Sequence, residues 1–264
     1  MFRHGRSGLA QVAFRQRRNL AEEHRTDRIS DRLESPRGES PLGDFVLGGV
    51  DGVVTTFAVV AGSAGGGLSV TTVIILGLAN LVADGFSMGV SNYLSTRSRK
   101  QEVAQARADE NWQVQTNPEG ERQEIRQIFA RKGLGGDTLD QVVDAITSDK
   151  RVWVDTMMAE ELKLSEISAR PERAALFTFV AFVSCGFVPL LPFIAGVGSF
   201  ERMFAISTAL AAATFFALGI GKGMVLSASP LRSGLQTLLI GSFAAGLAYA
   251  MGVGLRTLFG ISPA

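Results

Sequence analysis

The sequence predicts an all-α integral membrane protein: five transmembrane helices, with a helical cytoplasmic insert between the second and third spans. Two observations lead to this fold class. The 264-residue chain is 46% hydrophobic with a mean hydropathy of +0.21, and only 19% of its residues are charged. Its charges are concentrated in residues 1–43 and 97–173, and the remaining apolar stretches reach the ~20 residues that a helix needs to cross a bilayer.

Five stretches have this length: residues 44–65, 69–95, 174–197, 203–226 and 235–259. Pro189 and Pro192 are expected to break the third span, because proline lacks the amide hydrogen that a helix uses. The backbone groups freed in this way then need partners from protein or water. Four pairs of glycines are spaced four residues apart, a pattern that lets helices approach closely within a chain or across a dimer. These pairs are Gly48/Gly52, Gly62/Gly66, Gly85/Gly89 and Gly219/Gly223.

Composition divides the chain into a basic arm (1–43), the first two spans (44–96), a polar insert (97–173) and the last three spans (174–264). The arm and the insert carry nearly all of the Lys and Arg, so the positive-inside rule predicts that both lie in the cytoplasm. We expect the basic arm to touch the anionic headgroups of the lipid bilayer. No organelle signal is evident, and a bacterial plasma membrane is the simplest host.

Several function classes are disfavoured. A formal net charge of +1 argues against nucleic acid as a partner, because phosphate binding needs a concentrated basic surface. The single cysteine, Cys185, excludes an intrachain disulfide. A membrane di-iron enzyme would use Glu-x-x-His motifs, but neither His4 nor His24 has a glutamate three residues before it. We therefore do not expect an enzyme.

Ionisable side chains inside two of the spans are the main functional signal. Asp44 and Asp51 are two helical turns apart on the first span, and Asp51 is deep within it. On the second span a polar stripe recurs every four residues: Asn80, Asp84, Met88 and Asn92. An ionisable group at the bilayer centre costs at least ~3 kcal/mol, so it usually marks an ion pathway or a proton relay. These two faces are expected to meet each other, a symmetry mate or water.

Carboxylate and amide oxygens with one thioether suit a divalent first-row cation, and the sulfur favours iron, copper or zinc. The carboxylates can also bind protons, so metal and proton could compete for one site. Two structural alternatives stay open: Asp44 as a helix cap, and Asp51 as a buried hydrogen-bonded aspartate. Lys222, near the end of the fourth span, is expected to extend to the headgroups.

The insert is predicted to be helical. The second span continues as a polar helix through Trp112 and ends at Asn117-Pro118, and further helices cover 119–133, 139–148 and about 151–162. Glu121 and Glu124 share one helix face. Met157, Met158 and Glu161 share another. Spacing alone leaves open whether these faces bind metal or are simply solvated.

Five sequence motifs, in order, resemble the vacuolar iron transporter family, which includes the yeast calcium cross-complementer proteins. They are Asp44-(x)6-Asp51-Gly, Ser87-Met88, the segment from Lys132-Gly133-Leu134 to Trp153, Met157-Met158-x-x-Glu161-Leu162 and Pro189-Leu-Leu-Pro192. The resemblance covers about residues 44–259.

The resemblance implies a homodimer that moves Fe²⁺ out of the cytosol in exchange for protons, along a path at the dimer centre. Mn²⁺ and Zn²⁺ are alternative cargoes, and no permanently bound cofactor is implied. By residue match, Asp51 and Met88 would bind the ion within the membrane, with Asp44 nearer the cytoplasmic entrance. The insert would be a metal-binding domain whose ligands are Glu110, Glu121, Glu124, Met157, Met158 and Glu161.

Three positions depart from the family pattern. Gln113 stands where another glutamate is usual, Asn92 replaces the glutamate of a Gly-Glu-Tyr motif, and Asp84 replaces a small residue. Positions 84 and 92 share a helix face, so we hypothesise that the carboxylate has been relocated along the path. The alternative function is a membrane-anchored metal sensor or buffer, with the insert as its working part and no flux.

Overall fold

The computed structural model describes residues 22, 24–34, 41–165, 170–226 and 228–260. Ten α-helices occur in these ranges: α1 (Thr26–Glu34), α2 (Pro41–Gly66), α3 (Val70–Thr116), α4 (Pro118–Arg131), α5 (Gly136–Thr147), α6 (Lys150–Glu160), α7 (Pro171–Phe187), α8 (Leu191–Ile194), α9 (Phe200–Val225) and α10 (Pro230–Phe259). The chain divides into two compact units. The spanning unit comprises Glu39–Asp109 and Ala169–Ala264, and the insert unit comprises Met1–Gly38 and Glu110–Ser168.

The described residues contain five helical segments long and apolar enough to cross a membrane, which confirms the predicted number of spans. The second, α3, is 47 residues long. At 1.5 Å per residue it extends about 70 Å, so only its apolar first half fits within a bilayer. As predicted, its polar half ends at Asn117-Pro118, where the Asn117 side chain accepts a hydrogen bond from the Gly120 amide and caps α4.

Helix α2 is the centre of the spanning unit. It packs most extensively against α7 and α10 and also contacts α9, which in turn packs along α10. Large apolar side chains fill the core between these helices, among them Val53, Phe57, Phe182 and Phe215. The central position of α2 fixes the surroundings of every polar residue that it carries.

The glycine pairs lie at close contacts between helices of the spanning unit. A Cβ atom on Gly48 would lie 2.2 Å from the carbonyl oxygen of Thr178, and one on Gly52 would lie 2.3 Å from that of Phe182. The other pairs face α7 or α10 in the same way, except Gly66, whose nearest neighbour is Leu68 on its own segment. Close contacts between helices of one chain are therefore confirmed for three of the four pairs, and not for Gly62/Gly66.

The third span breaks where its prolines predicted. Helix α7 gives way to a 3-10 turn over Val188–Leu190, followed by the short helix α8. The buried hydroxyl of Ser207, on α9, donates a hydrogen bond to the carbonyl oxygen of Pro189 at 2.7 Å. A neighbouring helix thus provides the partner that a freed backbone group needs in lipid.

The insert unit contains α4, α5 and α6 in addition to the end of α3. Ion pairs between Arg122 and Asp144, and between Arg126 and Asp140, join α4 to α5. Asp149 caps the start of α6, and its carboxylate accepts hydrogen bonds from the amides of Arg151 and Val152. The helices enclose a small core that includes Ile125, Leu139, Val143, Val154 and Met157.

We expect Gly52→Ala to lower the free energy of unfolding by about 1–3 kcal/mol, the usual cost of overpacking. The added Cβ would meet backbone atoms of α7, which cannot rotate away as a side chain could. Gly246→Ala is the matched control, because a Cβ there meets nothing within 4 Å. Thermal unfolding of both variants in detergent measures the difference, and equal stabilities would contradict the close contact.

Candidate functional site

Asp51 lies inside the membrane-spanning part of α2 and is half-buried. Its side chain lines a cavity of about 510 Å³ that is formed mainly by apolar residues of α2, α9 and α10. Met88 of α3 is also half-buried and lines the same cavity. A carboxylate and a thioether therefore line one mainly apolar cavity within the spanning unit.

The cavity follows one face of α2, which we call the open face: Val46, Leu47, Val50, Asp51 and Val54. The other side of the helix, at Gly48 and Gly52, is closed by α7. Leu47 is exposed, and Val46, Val50 and Val54 are half-buried. Asp51 is thus the one charged residue on an apolar face that no helix of the described chain covers completely.

The polar stripe of α3 meets α2, as one of the predicted alternatives required. The Asn80 side-chain amide donates a hydrogen bond to the Thr55 hydroxyl at 3.2 Å. At the other end of the stripe, the Asn92 amide donates to the Asp44 carboxylate at 2.8 Å. All of these side chains are half-buried. Asp44 is therefore tied to a second helix, which the helix-cap alternative did not include.

Because α2 and α3 run antiparallel, one contact between them determines which other residues of the two helices lie at the same level. Four residues from Asp51 to Thr55 on α2 correspond to four residues from Asp84 back to Asn80 on α3. The bond between Thr55 and Asn80 therefore places Asp84 level with Asp51. Asp84 is half-buried, as Asp51 is. Two carboxylates of one chain therefore lie at the same level of the spanning unit.

Some residues around this site were not assigned from the sequence. Thr55 links Asp51 to the stripe, because its hydroxyl donates to the Asp51 carbonyl oxygen at 3.0 Å. Lys222, expected to extend to the headgroups, is exposed and also lines the cavity with Asp51. Thr178 is fully buried against Asn92. Threonine is common in membrane helices, so no sequence signal singles these threonines out.

Within the insert unit, four of the predicted glutamates lie within electrostatic range of one another. Burial, with help from Glu121, Glu161 and Glu124, raises the pKa of Glu110 to about 8. Burial raises the pKa of Glu121, and repulsion from Glu124 adds to the effect. Burial also raises the pKa of Glu161, together with repulsion from Glu124 and Glu121. Four carboxyl groups, from the end of α3, from α4 and from the residue after α6, are therefore grouped together in the insert unit.

Two of these glutamates are buried with an unsatisfied oxygen. Glu110 is 2% exposed and Glu121 is 4% exposed, and one carboxylate oxygen of each has no hydrogen-bond partner. Met157 and Met158 are buried in the same unit. Nevertheless, no three His, Cys, Asp or Glu side chains among the described residues form a group that could hold a metal ion. Metal binding here would need the side chains to converge further.

Comparison with known proteins gives a consistent result. The model of the VIT family matches residues 42–253. The "Vacuolar iron transporter" of Toxoplasma gondii is 34% identical over 224 residues, which cover 81% of this chain and 74% of that protein. "Vacuolar iron transporter 1" of Arabidopsis thaliana is 31% identical and covers 79% and 83%. "Vacuolar iron transporter 2" of Oryza sativa subsp. japonica is 31% identical and covers 81% and 87%.

We expect the metal-free protein to lose stability in its insert unit as the pH rises from about 5 to 8. The folded state keeps a proton on Glu110 up to about pH 8, whereas the unfolded chain releases it near its ordinary value of 4.5. Folding therefore binds a proton in this window, and stability falls with increasing pH. Glu110→Gln should flatten the dependence.

Tryptophan fluorescence during thermal unfolding measures this effect in the full chain, because the only two tryptophans, Trp112 and Trp153, both belong to the insert unit. Glu119→Gln removes an exposed carboxylate nearby and serves as the control. An unfolding temperature that rises with pH would contradict the expectation.

Proposed function

Since the chain belongs to the VIT family, whose members are transporters and not enzymes, we propose that it moves Fe²⁺ out of the cytosol in exchange for protons. Metal transport by a multi-pass membrane protein follows from the family. The direction, the coupling ion and the residues involved are our proposal. The observation that carries it is Asp51, a half-buried carboxylate beside Met88 in a cavity of the spanning unit.

We assign the ion site to Asp51 and Met88, with Asp44 nearer the entrance and Asp84 level with Asp51. Oxygen donors with one sulfur suit Fe²⁺, and the same set accepts Mn²⁺ and Zn²⁺. A carboxylate in a low-dielectric cavity is costly when it is ionised without a partner. A passing cation or a proton removes that cost, and the two alternate on the same oxygens.

Protons from the far side would weaken metal binding, because carboxylate ligands must be deprotonated. This competition links release of the ion to entry of protons. From the positive-inside rule we also infer that the basic arm, with the N-terminus, and the insert lie in the cytoplasm. Relatives named as vacuolar come from plants and apicomplexan parasites, so a bacterial plasma membrane for this chain stays a prediction from its sequence.

The insert would collect ions before transport. The unsatisfied buried oxygens of Glu110 and Glu121 support this role, since a cation would supply the charge that they lack. Glu124, Glu161, Met157 and Met158 would complete the ligand set. A metal buffer without flux is less favoured, because it gives no purpose to a carboxylate in the cavity of the spanning unit.

We also propose a homodimer in which the open faces of two copies of α2 meet. An apolar helix face with a carboxylate at its centre is costly against lipid, whereas a second copy would enclose the charges in a shared path. The exposure of Leu47, at 53%, fits a face that awaits a partner.

Uptake into vesicles tests the transport proposal. Reconstituted protein with its insert outward should take up Fe²⁺ faster when the lumen is acidic, and Asp51→Asn should reduce uptake to the level of empty vesicles. Asp137→Asn, an exposed carboxylate of α5, is the control and should transport normally. Uptake of Mn²⁺ and Zn²⁺ in parallel ranks the cargoes.

Two outcomes would contradict parts of the proposal. Uptake that is indifferent to the pH gradient refutes proton exchange. If Asp84→Ala transports normally while Asp51→Ala does not, the relocated carboxylate has no role in the path.

Cross-linking tests the dimer. In a Cys185→Ala background, Leu47→Cys on the open face should form a disulfide-linked dimer in membranes under mild oxidation. Leu176→Cys, equally apolar and 60% exposed on α7, is the control and should give far less dimer. Equal yields from both positions would indicate random collision and remove the support for this interface.

A further inference from the structure

Three helices of the spanning unit meet at one hydrogen-bonded junction. The Asn92 side-chain nitrogen on α3 lies 2.8 Å from the Asp44 carboxylate on α2 and 2.7 Å from the Thr178 hydroxyl on α7. The carbonyl oxygen of Ala174, one turn before Thr178, is 3.3 Å away. We call Asp44, Asn92 and Thr178 the entrance junction.

Close backbone packing holds the junction in place. Gly48, one turn from Asp44, lets the backbone of Thr178 approach α2, and a Cβ there would lie 2.2 Å from the Thr178 carbonyl oxygen. Gly89, one turn before Asn92, lies against the Ala175 carbonyl oxygen, 3.2 Å from a Cβ at that position. Thr178 is fully buried. Its hydroxyl is therefore held in one position, and its hydrogen bond to Asn92 orients the Asn92 side chain towards Asp44.

An amide is well suited to hold a metal-binding carboxylate. Its NH₂ group has two hydrogens, enough for the two short contacts to Asp44 and Thr178. It donates to Asp44 without adding a charge, and the carboxylate keeps lone pairs for a cation. A carboxyl group at position 92 would instead repel Asp44 or share a proton with it. Outer partners of this kind orient metal ligands and tune their affinity.

We propose that Asn92 is a positioning residue which, held by Thr178, fixes the Asp44 carboxylate at the entrance and so sets the affinity for the incoming divalent cation. The inference rests on the proposed function and adds a determinant of ion capture to it. Asn92 acts through Asp44 and makes no bond to the ion. Its effect therefore falls on the concentration dependence of uptake rather than on the maximal rate.

Steady-state uptake of Fe²⁺, kept reduced, into vesicles over a range of concentrations tests the proposal. Asn92→Ala should raise KM by about tenfold, the low end of the range for lost outer partners, and change the maximal rate less than twofold. Thr178→Val keeps the shape of the buried side chain but cannot accept the hydrogen bond, so it should raise KM in the same direction. Thr208→Val, an exposed threonine on α9, is the matched control.

The exchanged pair Asp44→Asn with Asn92→Asp separates positioning from helix attachment. It keeps an amide–carboxylate hydrogen bond but moves the charge to α3. We expect this double variant to unfold at the same temperature as the wild type and to have a raised KM, as Asn92→Ala does. If the exchange restores the wild-type KM, or if Asn92→Ala and Thr178→Val leave KM unchanged while the wild type transports, the inference is wrong. If the wild type takes up no metal at all, the proposed function fails as well.

Discussion

Polar side chains within the membrane must find partners in the protein, and the seam between α2 and α3 is where this chain provides them. Hydrogen bonds at Asn80–Thr55 and Asn92–Asp44 join the two helices at either end of the seam. Asp51 and Asp84 lie between these two bonds, and no hydrogen bond to either carboxylate occurs among the described residues. Lipid offers neither water nor counter-charge, so an ionised carboxylate in this middle section is costly unless a proton, a cation or a charged group of the protein offsets it.

The seam depends in turn on how closely the backbones approach. Glycines on α2 and α3 remove the side chains that would otherwise keep α7 away, and the backbone of α7 then carries Thr178 to the seam. On the opposite side of α2, the open face lines the cavity and is only partly covered by residues of α9 and α10. The same helix thus has one tightly packed side and one side that lines the cavity.

The insert unit applies the same principle outside the membrane. Glutamates from α3, α4 and the end of α6 are brought near one another, and burial keeps a proton on Glu110 at neutral pH. The protein bears this cost in its metal-free state. In the role that we propose for the insert, a divalent cation would relieve the repulsion between these carboxylates and satisfy their unpaired oxygens.

The sequence alone determined the number of spans, the break at Pro189 and the end of α3 at Asn117. These features follow from apolar length and from local backbone chemistry, which are properties of neighbouring residues. It also singled out Asp51, because a charge within an apolar stretch is visible without coordinates. Only the tertiary structure decided that Asp84 stands level with Asp51, that Asn92 holds Asp44 and that Thr178 holds Asn92. Those contacts join residues far apart in the chain, and the packing of α2, α3 and α7 brings them together.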